Sequence, residues 1–268
     1  MQQRFDVKLG NVSMALLANE IIVRDIVEEP ADVRVDTVVR GISSGMRVEQ
    51  KVRQSLSVKV VYRIRTQDIM RRSNVQDSIA AWCANGGELK INSRPGKRLF
   101  VIPTSFPAVH SGLKWDQDLS LTFTAYAVPY WEDETETRIS VSTALNENTG
   151  QYYFANVIKP GGTVQKVPLE GTFLFFGTAL NWLKIVCGDT FFEFNDLNLS
   201  RTNMLSISYN DGLLTMYKTT MTGTESIMPN RTPASSDELL AVSGKDNQVY
   251  VYSDAVISGS LICRGRWV

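Results

Sequence analysis

Along most of this chain apolar and polar residues alternate one by one. Leu119, Leu121, Phe123 and Ala125 fall on one side of an extended segment while Ser120, Thr122 and Thr124 fall on the other, the period of a half-buried strand. Pro129 ends that ladder, Tyr130 and Trp131 follow, and the acidic run Glu132, Asp133, Glu134 and Glu136 is expected to carry the chain into solvent. Val33 and Val35 alternate with Arg34 and Asp36, and Leu56, Val58, Val60, Tyr62 and Ile64 alternate with Ser57, Lys59 and Arg63, so both segments read as strands with one wet face. A helical period replaces this pattern once. From about Gln67 to Ala84, Val75, Ile79 and Trp82 recur at helical spacing with Arg71 and Arg72 on the polar side, and Gly86 and Gly87 follow where a helix end favours positive φ. A hairpin comes next: Leu89 and Ile91 lead in, Arg94-Pro95-Gly96-Lys97 offers Pro and Gly at the centre of a type II turn, and Leu99 and Val101 lead out.

The stretch from Thr137 to Pro168 is punctuated by Asn146, Asn148, Gly150, Pro160, Gly161 and Gly162, and reads as a connection with room for an edge strand at Tyr152 to Phe154. Short strands then resume at Thr172 to Phe176, Leu183 to Val186, Phe191 to Phe194, and Leu205 to Tyr209, the last turning through Asn210, Asp211 and Gly212 into Leu213 to Tyr217. Val249 to Tyr252 and Leu261 to Trp267 close the series. Regular short strands with almost no helical period predict a mainly β chain of two β-sandwich domains, residues 1–136 with the single helix and the hairpin and residues 169–268 after the connection at 137–168.

Composition changes the picture little. At 268 residues the chain is long enough to bury roughly three quarters of its unfolded surface, which fits two modest domains. Net charge is zero, yet residues 1–131 hold 18 basic against 13 acidic side chains and residues 132–268 hold 10 against 15. That split fits two domains meeting head to tail between copies, and ordinary scatter over two solvated surfaces gives the same numbers. Cys83, Cys187 and Cys263 stand far apart, an odd and sparse set that suggests reduced thiols and synthesis in a cytosol. The sequence shows neither an apolar run long enough for a membrane span nor a secretory n-region and h-region. The tripeptides at Asn11, Asn198 and Asn230 match the glycosylation pattern by chance in a chain that is not secreted.

The opening Trp115-Asp116, the LTFTAYAVPYW strand and its acidic exit resemble the end of the N-terminal domain of siphophage distal tail proteins. The resemblance extends collinearly from about residue 7 to residue 268. GISSGM at Gly41 to Met46 sits where that phage tail family has a Gly-rich loop, and SSDELLAVSGKDNQVYVYSD followed by ICRGRWV is similar to the family's ending. The resemblance implies a structural virion protein with a galectin-like C-terminal sandwich, forming a hexameric ring at the tip of a long non-contractile tail, assembled in the bacterial cytoplasm. Its implied partners are copies of itself, the tail tube protein, the tail-associated hub protein and receptor-binding proteins, with genome DNA passing through the channel unbound. Ring contacts are expected at Ser43 and Ser44, at Arg71 and Arg72 on the helix, and at Arg94, Pro95, Gly96, Lys97 and Arg98 in the hairpin. The connection at 137–168 is too short for an inserted carbohydrate-binding module. The alternative is a host adhesin binding saccharide through the C-terminal sandwich.

Catalytic and cofactor chemistry finds no support in the sequence. The one histidine, His110, stands beside Ser111 and Gly112 without a nucleophile elbow, and carboxylates adjacent in an acidic run are the usual solvated exit from a strand. One His and three scattered thiols offer no zinc spacing, and Phe191, Phe192 and Phe194 break any calcium loop through Asp189, Asn195, Asp196 and Asn198. Phosphate-loop patterns are missing, and zero net charge disfavours nucleic-acid binding, so a neutral or acidic lumen is expected. A galectin-type galactoside site is expected to be absent, with Trp182 and Trp267 serving as packing residues.

Overall fold

The structure is a computed structural model. It describes residues 5–29, 33–39, 46–53, 55–107, 117–126, 128–176, 179–200, 203–210 and 213–268, giving the backbone alone for 33–39, 46–53 and Asn210. Ser43, Ser44, His110, Ser111, Gly112 and most of the Gly41 to Met46 loop lie outside the described residues. The chain is mainly β and divides into two compact units, Met1–Trp131 and Glu132–Val268.

The first unit contains β1 (Val7–Leu9), β2 (Val12–Ser13), β3 (Ile21–Glu29), β4 (Val33–Val39), β5 (Met46–Arg53), β6 (Ser57–Ile64), α1 (Ile69–Cys83), β7 (Gly87–Ile91), β8 (Lys97–Ser105) and β9 (Leu119–Ala125). Seven strands form one antiparallel sheet in the order β2-β1-β7-β8-β9-β6-β3, while β4 pairs with β5 in a two-stranded ladder. Among the described residues the first unit thus shows this sheet, the separate β4–β5 ladder and one helix. The alternation that predicted β6 and β9 is the burial pattern found: Val58, Val60, Tyr62, Leu121 and Phe123 are all fully buried.

Helix α1 starts where Asp68, its N-cap, accepts hydrogen bonds from the backbone N–H groups of Met70 (2.9 Å) and Arg71 (3.2 Å). It buries Val75, Ile79 and Cys83, and the Trp82 ring meets Phe123 edge-on at 6.2 Å, a geometry worth about 1 kcal/mol beyond area burial. Burial, with the Cys83 thiol close by, pushes the Tyr62 phenol well above its ordinary value, and burial pushes the Cys83 thiol up to about 11. Between β7 and β8 the predicted turn forms, with Lys97 N–H donating to Arg94 O at 3.3 Å and Gly96 at φ +73°.

The second unit takes up the chain through β10 (Trp131–Asp133), β11 (Thr137–Ser142), β12 (Ala144–Asn146), β13 (Gln151–Ile158), β14 (Lys166–Pro168), β15 (Glu170–Phe176), β16 (Leu183–Cys187) and β17 (Thr190–Phe194). It continues with β18 (Met204–Asn210), β19 (Leu213–Thr220), β20 (Gly223–Ser226), β21 (Leu240–Val242), β22 (Asn247–Ser253), β23 (Val256–Cys263) and β24 (Arg266–Trp267). A six-stranded sheet runs β11-β23-β15-β18-β19-β20 and a five-stranded sheet runs β12-β13-β22-β16-β17. Their inner faces share one core. Phe173, Phe175, Leu205 and Ile257 come from the first sheet, and Ile185, Phe192, Phe194 and Val251 from the second.

Two sequence expectations change here. Residues 137–168, read as a connection, supply β11 to β14: β11 pairs with β23 over six residues and β13 with β22 over seven. Their Asn and Gly turns are real, but alternating pairs such as Ile139 and Val141 face the core between them. The acidic run is not a solvated exit either. Glu132 and Asp133 belong to β10, and Asp133 N–H donates to Gly265 O at 2.9 Å.

Candidate assembly interface

Each described residue expected at a ring contact has its side chain engaged within its own unit or lies in the β7–β8 turn. On α1, Arg71 Nε lies 2.8 Å from Glu20 Oε1, and Arg72 Nη2 donates to Thr66 O at 2.8 Å. In the hairpin, Arg94 pairs with Glu28 and holds its guanidinium 5.5 Å above the Trp131 ring. Arg98 Nη1 sits 3.0 Å from Glu88 Oε2, with its guanidinium 4.9 Å over Phe100. Pro95, Gly96 and Lys97 form the turn between them.

The helix and hairpin positions are not gathered into one cluster. Their anchors, Glu20 and Glu28, are eight residues apart at the two ends of β3, about 25 Å at the rise of a strand. The two basic sites are therefore separate, each with its side chains oriented by solvent-screened ion pairs.

The acids in these pairs carry a pH signature. A hydrogen bond from Arg71 holds Glu20 below the ordinary glutamate value of 4.5. Burial alone would raise Glu88, but Lys90 and Arg98 outweigh it and the net direction is down. Both groups have folded values below unfolded ones, so their contribution to stability is present above about pH 4.5 and lost as pH falls through the folded values. Arg71→Ala is expected to lower stability slightly at pH 7 and not at all below the folded value of Glu20, which flattens the acid limb of a urea-midpoint series.

A second cluster, invisible to local pattern, lies in the second unit. Arg266 Nε is 3.1 Å from Glu132 Oε1, with both residues buried and the guanidinium 4.7 Å over the Tyr209 ring. Arg138 and Arg264 both reach Glu136, and Trp267 Nε1 donates to Asp133 Oδ1 at 2.8 Å. Trp267 and Trp182 were expected as packing residues; both are half-buried, and Trp182 Nε1 donates to Glu193 Oε1 at 3.1 Å. The signal for this cluster was the two alternating arginines, Arg264 and Arg266, far downstream of an acidic run.

A groove of about 490 Å³ is lined in the second unit by Thr190, Leu213, Leu214, Asp237, Glu238 and Leu240, together with Ser236. Among the described residues no group of three or more His, Cys, Asp or Glu side chains is placed to hold a metal, and no helix is long and apolar enough to cross a membrane.

The fold, a one-helix β unit followed by a two-sheet β unit, is similar from end to end to that of one solved phage protein. The similarity that carries this is to the SPP1 Dit (gp 19.1) protein, described as a paradigm of the hub adsorption apparatus in phages infecting Gram-positive bacteria: TM-score 0.67 at 10% identity, over 98% of this chain and 99% of that one. Two structures of the phage p2 baseplate in its activated conformation, with Sr and with Ca, align at TM-scores of 0.47 and 0.48 and 6% identity, over 96% and 97% of this chain and 97% and 98% of those. No protein-family model and no curated protein sequence matches the chain.

Proposed function

We propose that this chain is a structural distal tail protein of a long non-contractile phage tail, forming a hexameric ring that joins the tail tube to the tail-tip proteins. The observation that carries the reading is the end-to-end likeness to the SPP1 hub protein, with both chains covered almost completely. A match confined to one unit would speak for a shared module, whereas this one spans both units in the same order.

On this reading the second unit is the galectin-like domain. The first forms the belt of the ring, with contacts at the helix residues Arg71 and Arg72, the hairpin residues Arg94, Pro95, Gly96, Lys97 and Arg98, and the loop at Ser43 and Ser44. Closed rotational symmetry ends such pairing at a fixed number of copies and covers strand edges that would otherwise associate without limit. The tail tube protein and the tail-associated hub protein occupy the two faces of the ring, receptor-binding proteins its periphery, and genome DNA passes through unbound. The role is architectural, without catalysis.

Light scattering behind size exclusion tests the ring. Six chains of 30.0 kDa give about 180 kDa. A species of that mass is the expected result, and a monomer that stays monomeric in the presence of tail tube protein would refute the ring.

A further inference from the structure

Strand β19 is covered along only part of its length. On one side β18 pairs with it from Leu213 to Thr219, whereas on the other β20 reaches only Tyr217 to Thr220, and Ile227 N–H then donates to Met216 O at 3.0 Å. Successive residues of an antiparallel strand aim their backbone groups to opposite sides, so Leu214, two positions before Met216, turns its N–H and C=O to the same side as Met216 does. No strand lies there among the described residues. An uncovered edge of this kind is a template for another extended chain.

The same two leucines, Leu213 and Leu214, line the groove of about 490 Å³ together with Thr190, Leu240, Asp237 and Glu238. Its far wall is held in place. Thr190 Oγ1 accepts from Leu240 N–H at 3.0 Å and donates to Cys187 O at 3.0 Å, and Ser236 N–H donates to Phe191 O at 2.9 Å. Leu213 is 68% exposed, so the groove offers apolar surface to an incoming side chain. The rim is acidic: Arg231 Nη2 lies 3.3 Å from Asp237 Oδ1 while its Nη1 donates to Ser236 O, and Glu238 forms no ion pair among the described residues. An open backbone edge, leucines beside it and a carboxylate without a counter-ion together call for an extended segment that brings apolar side chains and a cation.

We propose that this groove is the docking site for an extended cationic peptide segment of a partner protein, which adds as a strand along residues 213–215 of β19, seats an apolar side chain against Leu213 and Leu240 and sets a Lys or Arg beside Glu238. A second copy of this chain is the poorer occupant, because the arginines of α1 and of the β7–β8 hairpin are already engaged within their own unit. The docking site goes beyond the hub reading and stands independently of it, because the ring is tested by mass and the groove by titration.

Fluorescence anisotropy of the full chain with dye-labelled heptapeptides is the test, in a set where Lys or Arg alternates with Leu, Val, Phe or Met and a second set where Glu replaces the cations. At least one basic peptide is expected to bind and no Glu peptide to do so. Glu238→Lys and Leu213→Asp should each weaken the basic peptide about tenfold. Methylating the backbone nitrogens of that peptide keeps its charge and side chains but removes its ladder donors, and is expected to abolish binding. Both substituted residues are exposed, so folding stays intact, checked by an unchanged melting profile. Failure of the whole basic set, binding indifferent to the two substitutions, equal binding of the methylated peptide, or a Glu238→Lys variant whose light-scattering mass falls, which would mark the groove as a contact between copies, would each overturn the proposal.

Discussion

Arg266→Ala is expected to destabilise the second unit by about 3–5 kcal/mol, read as a shift of its transition in guanidinium unfolding. Arg266 is 6% exposed and Glu132 8%, so the substitution removes a cation 3.1 Å from a carboxylate that water barely reaches. The guanidinium also covers the Tyr209 ring, and that contact is lost at the same time. A double replacement, Glu132→Leu with Arg266→Met, should recover most of the loss, because removing both charges also removes the desolvation cost of burying them. A comparable cost in the double variant would show that the pair's worth lies in shape rather than charge. Nearby Glu170 adds a pH dependence: burial raises it above 4.5, the Glu132 charge adds to the rise, and Arg266 opposes it. A raised acid contributes stability that is present below its unfolded value and lost as pH rises, so removing Arg266 should steepen the loss toward neutral pH.

Gly259→Ala is expected to cost about 3 kcal/mol or more and to disturb the centre of the six-stranded sheet. In β23, Gly259 stands opposite Phe173 of β15, and a Cβ built there would come within 2.0 Å of Thr172 O and 2.9 Å of Phe173 Cα. These are backbone atoms, so a rotamer change cannot make room and the two strands must separate. Gly10, with nothing within 4 Å of its added Cβ, makes a steric comparison: Gly10→Ala tests backbone strain alone at φ +60°. Loss of amide protection in β15 and β23 for Gly259→Ala, and not for Gly10→Ala, is the expected pattern in hydrogen exchange. Equal protection in both variants would mean that the sheet absorbs the added carbon.

The fold was legible wherever one face of a strand is wet. Strands β6 and β9 announced themselves because Ser57, Lys59, Ser120 and Thr122 interrupt the apolar positions at every second residue, and α1 did so by Val75 and Ile79. The stretch from Thr137 to Pro168 was misread because its strands are short and its turn residues dense, and β11 and β13 gain their identity only from β23 and β22, more than ninety positions downstream in each case. The strand order of the first unit was equally hidden, since alternation fixes which face is buried but not which strands share a ladder. Of the candidate sites, local sequence indicated the arginines but not their partners. Arg71 with Glu20 and Arg94 with Glu28 are separated by 51 and 66 positions.

The union of β10 with the stretch at 264–268 sets an order of events during synthesis. Glu132 waits for Arg266 across 134 positions, and Asp133 waits for Gly265 and Trp267. At ribosomal rates that interval is about ten seconds. The second unit remains open, with the Glu132–Arg266 contact unmade and strand edges uncovered, until residues 264–268 clear the exit tunnel. Quality control by the cell thus has a defined window, and a nascent chain stopped just short of Arg264 would carry a second unit that cannot close.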